Sequence, residues 1–168
     1  ELLRPELRLL VMSATLDGER VAALLGSAPV VTAHGRAFPV ETRWMPARPG
    51  ARPLDAVPMA VQRALSETDG DVLVFLPGSG EIWRMADRID GLVGPGGPRV
   101  FALHGTMPAE EQDDAIAPSP PGRRKVVLAT SIAETSLTIE GVRAVVDSGL
   151  ARVPRFDPRS GMTHLETI

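Results

Sequence analysis

Apolar residues fall along this chain in short blocks separated by loop punctuation, and the spacing within each block predicts the element it forms. Leu9-Leu10-Val11-Met12 is a four-residue apolar run followed by Ser13-Ala14-Thr15, then a helical stretch from Asp17 to Leu25 closed by Gly26. It reads strand, turn, short helix. Pro29-Val30-Val31-Thr32 reads as another short strand, and the proline- and arginine-rich stretch from Met45 to Pro53 carries the poorest patterning in the chain. A domain boundary is expected near residues 33–37. Asp55 is placed to cap a helix bearing Val57, Ala60, Val61, Ala64 and Leu65 on one face, with Pro58 tolerated in its first turn.

From there the alternation is regular. Asp71-Val72-Leu73-Val74-Phe75-Leu76 predicts a buried strand ended by Pro77-Gly78, and Ile82, Met85, Ala86, Ile89 and Leu92 form a helical stripe. Arg99 to Leu103 is the next strand, Pro108 to Ile116 a helix with an acidic outer face, Lys125 to Ala129 a third strand, and Val142 to Val146 a last core strand. Strands apolar throughout, alternating with helices of about ten residues, specify an α/β fold with a parallel sheet covered by helices on both faces. After Asp147-Ser148-Gly149 the pattern changes to period two. Two short polar runs flank the turn Asp157-Pro158-Arg159-Ser160-Gly161, which predicts a C-terminal β-hairpin.

Composition then removes several function classes. At 168 residues and 43% hydrophobic, the chain matches one ordinary domain, or one domain plus a piece of another. It has no cysteine, which rules out a disulfide framework, a thiol nucleophile and a thiolate metal site, and His34, His104 and His164 lack ligand spacing. No metal site is expected. No apolar run approaches the roughly 18 residues of a membrane span, and the N-terminus lacks a signal-peptide layout, so a soluble cytoplasmic protein without membrane association is expected. The net charge of -3 announces no global nucleic-acid field, yet residues 123–168 hold 7 basic and 5 acidic side chains, so this third is locally positive.

In a sheet of this kind ligands meet the loops at the carboxyl ends of the strands. Ser13-Ala14-Thr15, Pro77-Gly78-Ser79-Gly80, His104-Gly105-Thr106 and Thr130 to Gly141 occupy that position, all with small or hydroxyl residues that let backbone amides approach an oxyanion. Taken alone these signals are bland. Ser-Ala-Thr reads equally as a helix start, Gly78 to Gly80 as a turn that does not extend to G-x-G-x-x-G, and no G-x-x-x-x-G-K-[ST] loop occurs. His104 reads as a turn or packing histidine, Glu110, Glu111, Asp113 and Asp114 as a solvated helix face, and Arg123-Arg124-Lys125 as a solubilising loop that could also hold a nucleic-acid backbone. The segment Ala129 to Val142 is different. It interleaves five hydroxyl side chains with Ile132, Leu137 and Ile139, and buried hydroxyls are costly unless something pairs with them.

That segment resembles motif V of the DEAH-box helicases, superfamily 2 ATPases acting on RNA. In the order the family has them, Ser13-Ala14-Thr15 resembles motif III, Val72 to Ile82 motif IV, Gly35 to Glu41 the linker between two RecA-like domains, and Val145 to Gly149 with Phe156 to Gly161 the strand and hairpin after motif V. The linker, Leu103-His104-Gly105 and Pro118-Ser119-Pro120 are most similar to the bacterial HrpB-type branch. The resemblance implies a RecA-like fold divided into residues 1–33, the end of the first RecA-like domain; 34–54, linker and first strand; and 55–168, most of the second domain. It places motifs I and II before Glu1 and motif VI beyond Ile168, so the chain is expected to be a fragment with no catalytic residue of its own, inactive alone.

By the same resemblance Ser13, Ala14 and Thr15 couple the ATP site to domain closure, and Gly78, Ser79, Thr130 and Ser131 lie along the RNA sugar-phosphate backbone. Ser136 senses nucleotide state, and Thr138, Glu140 and Gly141 approach the nucleotide ribose. Ser131 replaces a more usual asparagine and Glu140 a more usual aspartate. Ile116 and Ala117 stand where relatives carry an adenine-stacking aromatic, which implies relaxed base selectivity. The implied cofactors are ATP and Mg2+, whose metal ligands lie outside this chain. The implied partners are RNA or single-stranded nucleic acid, bound without sequence preference, and the remainder of the helicase polypeptide. Two other readings stay open on the residues alone: a non-catalytic α/β nucleotide- or phosphate-binding module, and a small α/β hydrolase using His104 and Asp147.

Overall fold

The computed structural model of the chain describes residues 7–12, 17–33, 38–131 and 139–168. The chain divides into two compact units, Glu1–Thr42 and Arg43–Ile168. In the first, α1 (Gly18–Leu24) starts at Asp17, whose carboxylate accepts from the amides of Glu19 and Arg20, and Gly26 follows it with a positive φ of 71°. The expected strands at residues 9–12 and 29–32 are absent. Both stretches are irregular, and Leu10, Met12 and Val31 are exposed. A strand is held by its ladder partner, and the described residues of this unit include no strand to supply one.

The second unit carries the sheet. A 3₁₀ turn (Pro53–Ala56) leads into α2 (Val57–Glu67), followed by β1 (Asp71–Phe75), α3 (Ser79–Val93), β2 (Arg99–Leu103), α4 (Ala109–Ile116), β3 (Lys125–Ala129) and β4 (Val142–Asp147). The four strands are parallel in the order β2-β3-β1-β4. One face is packed by α2 and α3 through Val57, Val61, Ile82, Met85 and Ile89 against Val72, Val74, Val126 and Leu128. The other face is packed by Ala115 of α4 and by Ile139 against Leu73, Leu103, Val127 and Ala129. This is the two-faced α/β sheet that the unbroken apolar strands specify.

Two local expectations are corrected. Asp55 does not cap α2: it is the third residue of the 3₁₀ turn that Pro53 opens, and its carboxylate turns back to the Arg52 amide (3.3 Å) and to the guanidinium groups of Arg52 and Arg88, while Ala56 holds the cap position. Leu92 leaves the apolar stripe and is exposed. With 15 residues, α3 runs about 22 Å. That outreaches a five-residue strand of about 16 Å, and in its last turn Val93, not Leu92, packs against the core.

At β4 the register against β1 slips between Asp71 and Val72, which pair with Val142 and Ala144. The extra residue flips the side-chain alternation, so Val142 joins the α4 face while Ala144 and Val146 join the α2/α3 face. The expected hairpin forms from β5 (Arg152–Asp157) and β6 (Met162–Thr167), an antiparallel pair closed at Asp157 to Gly161 and tied by an Arg155–Glu166 ion pair at 2.8 Å. None of the helices among the described residues is long and apolar enough to cross a membrane.

Candidate functional site

The parallel register brings three loops to one place. Phe75 pairs with Ala129 and Leu103 with Ala129, so β1, β3 and β2 all end at the same level. The Leu76 amide then donates to the Ala129 carbonyl at 2.8 Å, and the Thr130 amide to the Leu103 carbonyl at 3.3 Å. Gly78-Ser79, His104 and Thr130-Ser131 are thereby neighbours at the carboxyl edge. The chain leaves β1 toward the α3 face, whereas Ile139, the next described residue after Ser131, is buried on the α4 face. A crevice outside the carboxyl ends of neighbouring parallel strands is the position where α/β sheets take ligands.

Around this crevice the side chains are held firmly. Gly78 precedes α3 in an extended conformation and is buried, and a Cβ there would stand 2.9 Å from Glu81 Oε2 and 3.0 Å from Arg152 Cζ. Glu81 is bound by Arg84 at 2.7 Å and by Arg152 of the hairpin at 3.3 Å, so one carboxylate answers two guanidinium groups. Ser79 and Ser131 are exposed and Thr130 is half-buried. His104 is buried, with Nδ1 3.0 Å from Thr106 Oγ1 and Nε2 without a protein partner.

Glu140 and Gly141 lie at the opposite edge of the sheet. The Gly141 carbonyl accepts from the Asp71 amide at 2.9 Å, just before β1 and β4 begin. Gly141 has a φ of 90°, a conformation strained for any L side chain, and a Cβ there would meet Asp71 Oδ2 at 3.1 Å. Exposed Glu140 borders a cleft of about 320 Å³ whose other wall is the Pro118–Gly122 loop, a volume within the small-molecule range. The five residues of β1 separate this cleft from the carboxyl-edge crevice by about 16 Å. The expected contact residues therefore fall at two edges, Gly78, Ser79, Thr130 and Ser131 at one and Glu140 and Gly141 at the other. Ser13, Ala14, Thr15, Ser136 and Thr138 lie outside the described residues.

The amino edge is organised by two buried charged residues, Asp71 and Lys125, that patterning alone did not single out. Asp71 Oδ1 accepts from the Lys125 amide at 2.9 Å and Oδ2 from Ser119 Oγ at 2.8 Å, which ties β1 to the start of β3 and to the loop walling the cleft. Lys125 Nζ donates to the carbonyls of Ala115 and Ala117, orphaned at the end of α4. Burial pushes the Lys125 ammonium below its usual range, and the Asp71 carboxylate opposes that shift. Arg124 likewise turns inward and donates to the carbonyls of Gly70 and Leu65. Arg124 and Lys125 thus do not form a solubilising or backbone-binding basic loop. A buried acid and a buried base heading two apolar strands were the visible signal, but their meeting depends on a register 54 residues apart.

The hydrolase reading fails on geometry. His104 follows β2 and Asp147 ends β4, the two outer strands, so three strand spacings of about 4.8 Å, roughly 14 Å, separate them. No group of three or more His, Asp or Glu side chains among the described residues is placed to hold a metal ion.

Fold and edge geometry define a helicase-type RecA-like lobe, and residues 56–164 match the helicase conserved C-terminal domain. The chain belongs to this family. It is 50% identical over 165 residues to the ATP-dependent RNA helicase HrpB of Escherichia coli, covering 98% of this chain and 20% of that protein. It is 44% identical over 168 residues to the pre-mRNA-splicing factor ATP-dependent RNA helicase prp22 of Schizosaccharomyces pombe, covering 96% of this chain and 14% of that protein. Two crystal structures of E. coli HrpB, one described as a DExH-box NTPase and one as a DEAH/RHA helicase, superpose with TM-scores of 0.82 and 0.87 at 49% identity, each over 99% of this chain. The chain spans about a fifth of the length of its HrpB relative.

Proposed function

We propose that this chain is the second RecA-like lobe, with the end of the first, of an ATP-dependent RNA helicase, and that it works in the cytoplasm on single-stranded nucleic acid without reading its sequence. Residues 1–33 close the first lobe, 34–54 link the two, and 55–168 form the second. The observation that carries this reading is the division of one segment between two edges: Thr130 and Ser131 beside Gly78 and Ser79 at the carboxyl edge, Glu140 and Gly141 at the cleft on the amino edge. A segment that spans the sheet from strand track to nucleotide is suited to link the two.

At the carboxyl edge, hydroxyls and amides contact sugar and phosphate, which gives binding that is insensitive to sequence and sensitive to salt. At the amino edge, the exposed Glu140 carboxylate suits a ribose hydroxyl donor, and Gly141 allows close approach. Thr138 contacts the nucleotide ribose, and Ser136 responds to nucleotide state. Ser13, Ala14 and Thr15 carry that state to domain closure. ATP touching both lobes stabilises the closed form because it binds that form better, and hydrolysis removes the difference. Mg2+ and the catalytic groups come from the remainder of the polypeptide, and Ala117 in place of an aromatic gives relaxed base selectivity.

The chain alone is expected to bind single-stranded oligoribonucleotides weakly, with similar affinity for uridine and adenosine homopolymers and an affinity that falls as salt rises. It is expected to show no ATP turnover, since it holds no lysine-bearing phosphate loop. Fluorescence anisotropy over a salt series checks the first, and a strong preference for one sequence at constant salt contradicts it. Magnesium-dependent turnover above a buffer control contradicts the second.

A further inference from the structure

Trp83 stands apart from the core of α3. Ile82, Met85 and Ile89 are buried against the sheet, while Trp83 keeps 55% of its surface exposed. It follows Ser79 by four residues, so the two side chains are neighbours on one helix face, about 5–6 Å apart at Cβ. The indole is also braced. Its ring meets the His104 ring edge to face, with centroids 6.1 Å apart at 78°. His104 is fixed in turn by its Thr106 contact at 3.0 Å, and its buried Nε2 has no protein partner. The indole is therefore ordered at the crevice while most of its surface faces water.

An ordered, half-exposed indole is a surface for a planar ligand. The groups around it fit the rest of that ligand: hydroxyls at Ser79, Thr106, Thr130 and Ser131, and the guanidinium groups of Arg84 and Arg152, which share Glu81. Donors and positive charge suit phosphodiester oxygens. A strand held by its backbone leaves its bases needing a face to stack on, and indole stacks on any base.

We infer that Trp83 is a base-stacking residue, on which an unpaired nucleobase of a single strand running past Ser79 packs against the indole; this rests on the function proposed above. Stacking adds affinity without base identity, as a helicase track requires.

The test uses the whole chain with Trp44, the other tryptophan and 89% exposed, changed to phenylalanine, so that Trp83 is the sole reporter. Two probes are titrated at one low salt concentration: an oligouridylate, and an abasic oligomer of equal length with the same phosphates and no bases. The oligouridylate should quench Trp83 fluorescence and the abasic oligomer should not. Trp83→Ala should weaken oligouridylate binding roughly 5- to 100-fold and leave the abasic affinity unchanged, and Trp83→Phe should restore most of the loss. If Trp83→Ala melts early, Trp83→Leu and Trp83→Phe replace it, with only Phe retaining binding. Equal oligouridylate affinity with and without the aromatic ring, or equal losses for both probes, overturns the inference and leaves the proposed function standing. Failure of every variant and the parent to bind either probe overturns both.

Discussion

Asp71→Ala should lower the stability of the chain by about 1–3 kcal/mol, the cost of leaving buried donors without their acceptor. The carboxylate is 3% exposed and receives the Lys125 amide and the Ser119 hydroxyl, and it opposes the desolvation of the Lys125 ammonium. Alanine leaves the Lys125 amide at the start of β3 and the Ser119 hydroxyl without their acceptor. Asp71→Asn, which keeps an acceptor without the charge, should cost less. Urea denaturation followed by circular dichroism reads both, and a loss below about 1 kcal/mol for alanine would show that the pair is not the clamp described. Because Ser119 belongs to the loop opposite Glu140, the cleft should loosen with the fold.

Ile82→Ala is the second large effect, about 2–5 kcal/mol for a truncated isoleucine in a packed core. Ile82 is 0% exposed and holds the first half of α3 on β1 and β3. Ser79 and Trp83 flank it on the same helix, so a cavity beneath it lets the helix shift relative to Thr130 and weakens nucleic-acid binding as well as stability. Ile82→Val should cost only about 0.5–1.5 kcal/mol and leave binding near the parent value. Equal melting temperatures for Ile82→Ala and the parent would contradict the packing account.

The sheet was legible in the sequence because its strands are buried on both faces. Val72 to Phe75 and Val126 to Ala129 read as unbroken apolar runs, and their helices carry stripes at helical spacing. Leu9 to Met12 has the same apolar character but is no strand here, since a run of apolar residues specifies burial and not a partner. The carboxyl-edge residues were legible as hydroxyls after strands. That Glu140 and Gly141 belong to the other edge was not, because it depends on which strands neighbour one another, and the order β2-β3-β1-β4 is set by packing. The Glu81–Arg152 link, 71 residues apart, and the Asp71–Lys125 clamp were hidden for the same reason.

The central claim is that one lobe presents a single-strand track at the carboxyl edge and a nucleotide contact at the amino edge. Amide chemical-shift mapping tests it directly, with a single-stranded oligouridylate titrated into ¹⁵N-labelled chain. The amides of Gly78, Ser79, Thr130 and Ser131 should shift together in a salt-sensitive, saturable way, while those of Glu140 and Gly141 at the far edge stay in place. Shifts centred on Glu140 and the Pro118–Gly122 loop, with Ser79 and Thr130 unmoved, would contradict the account.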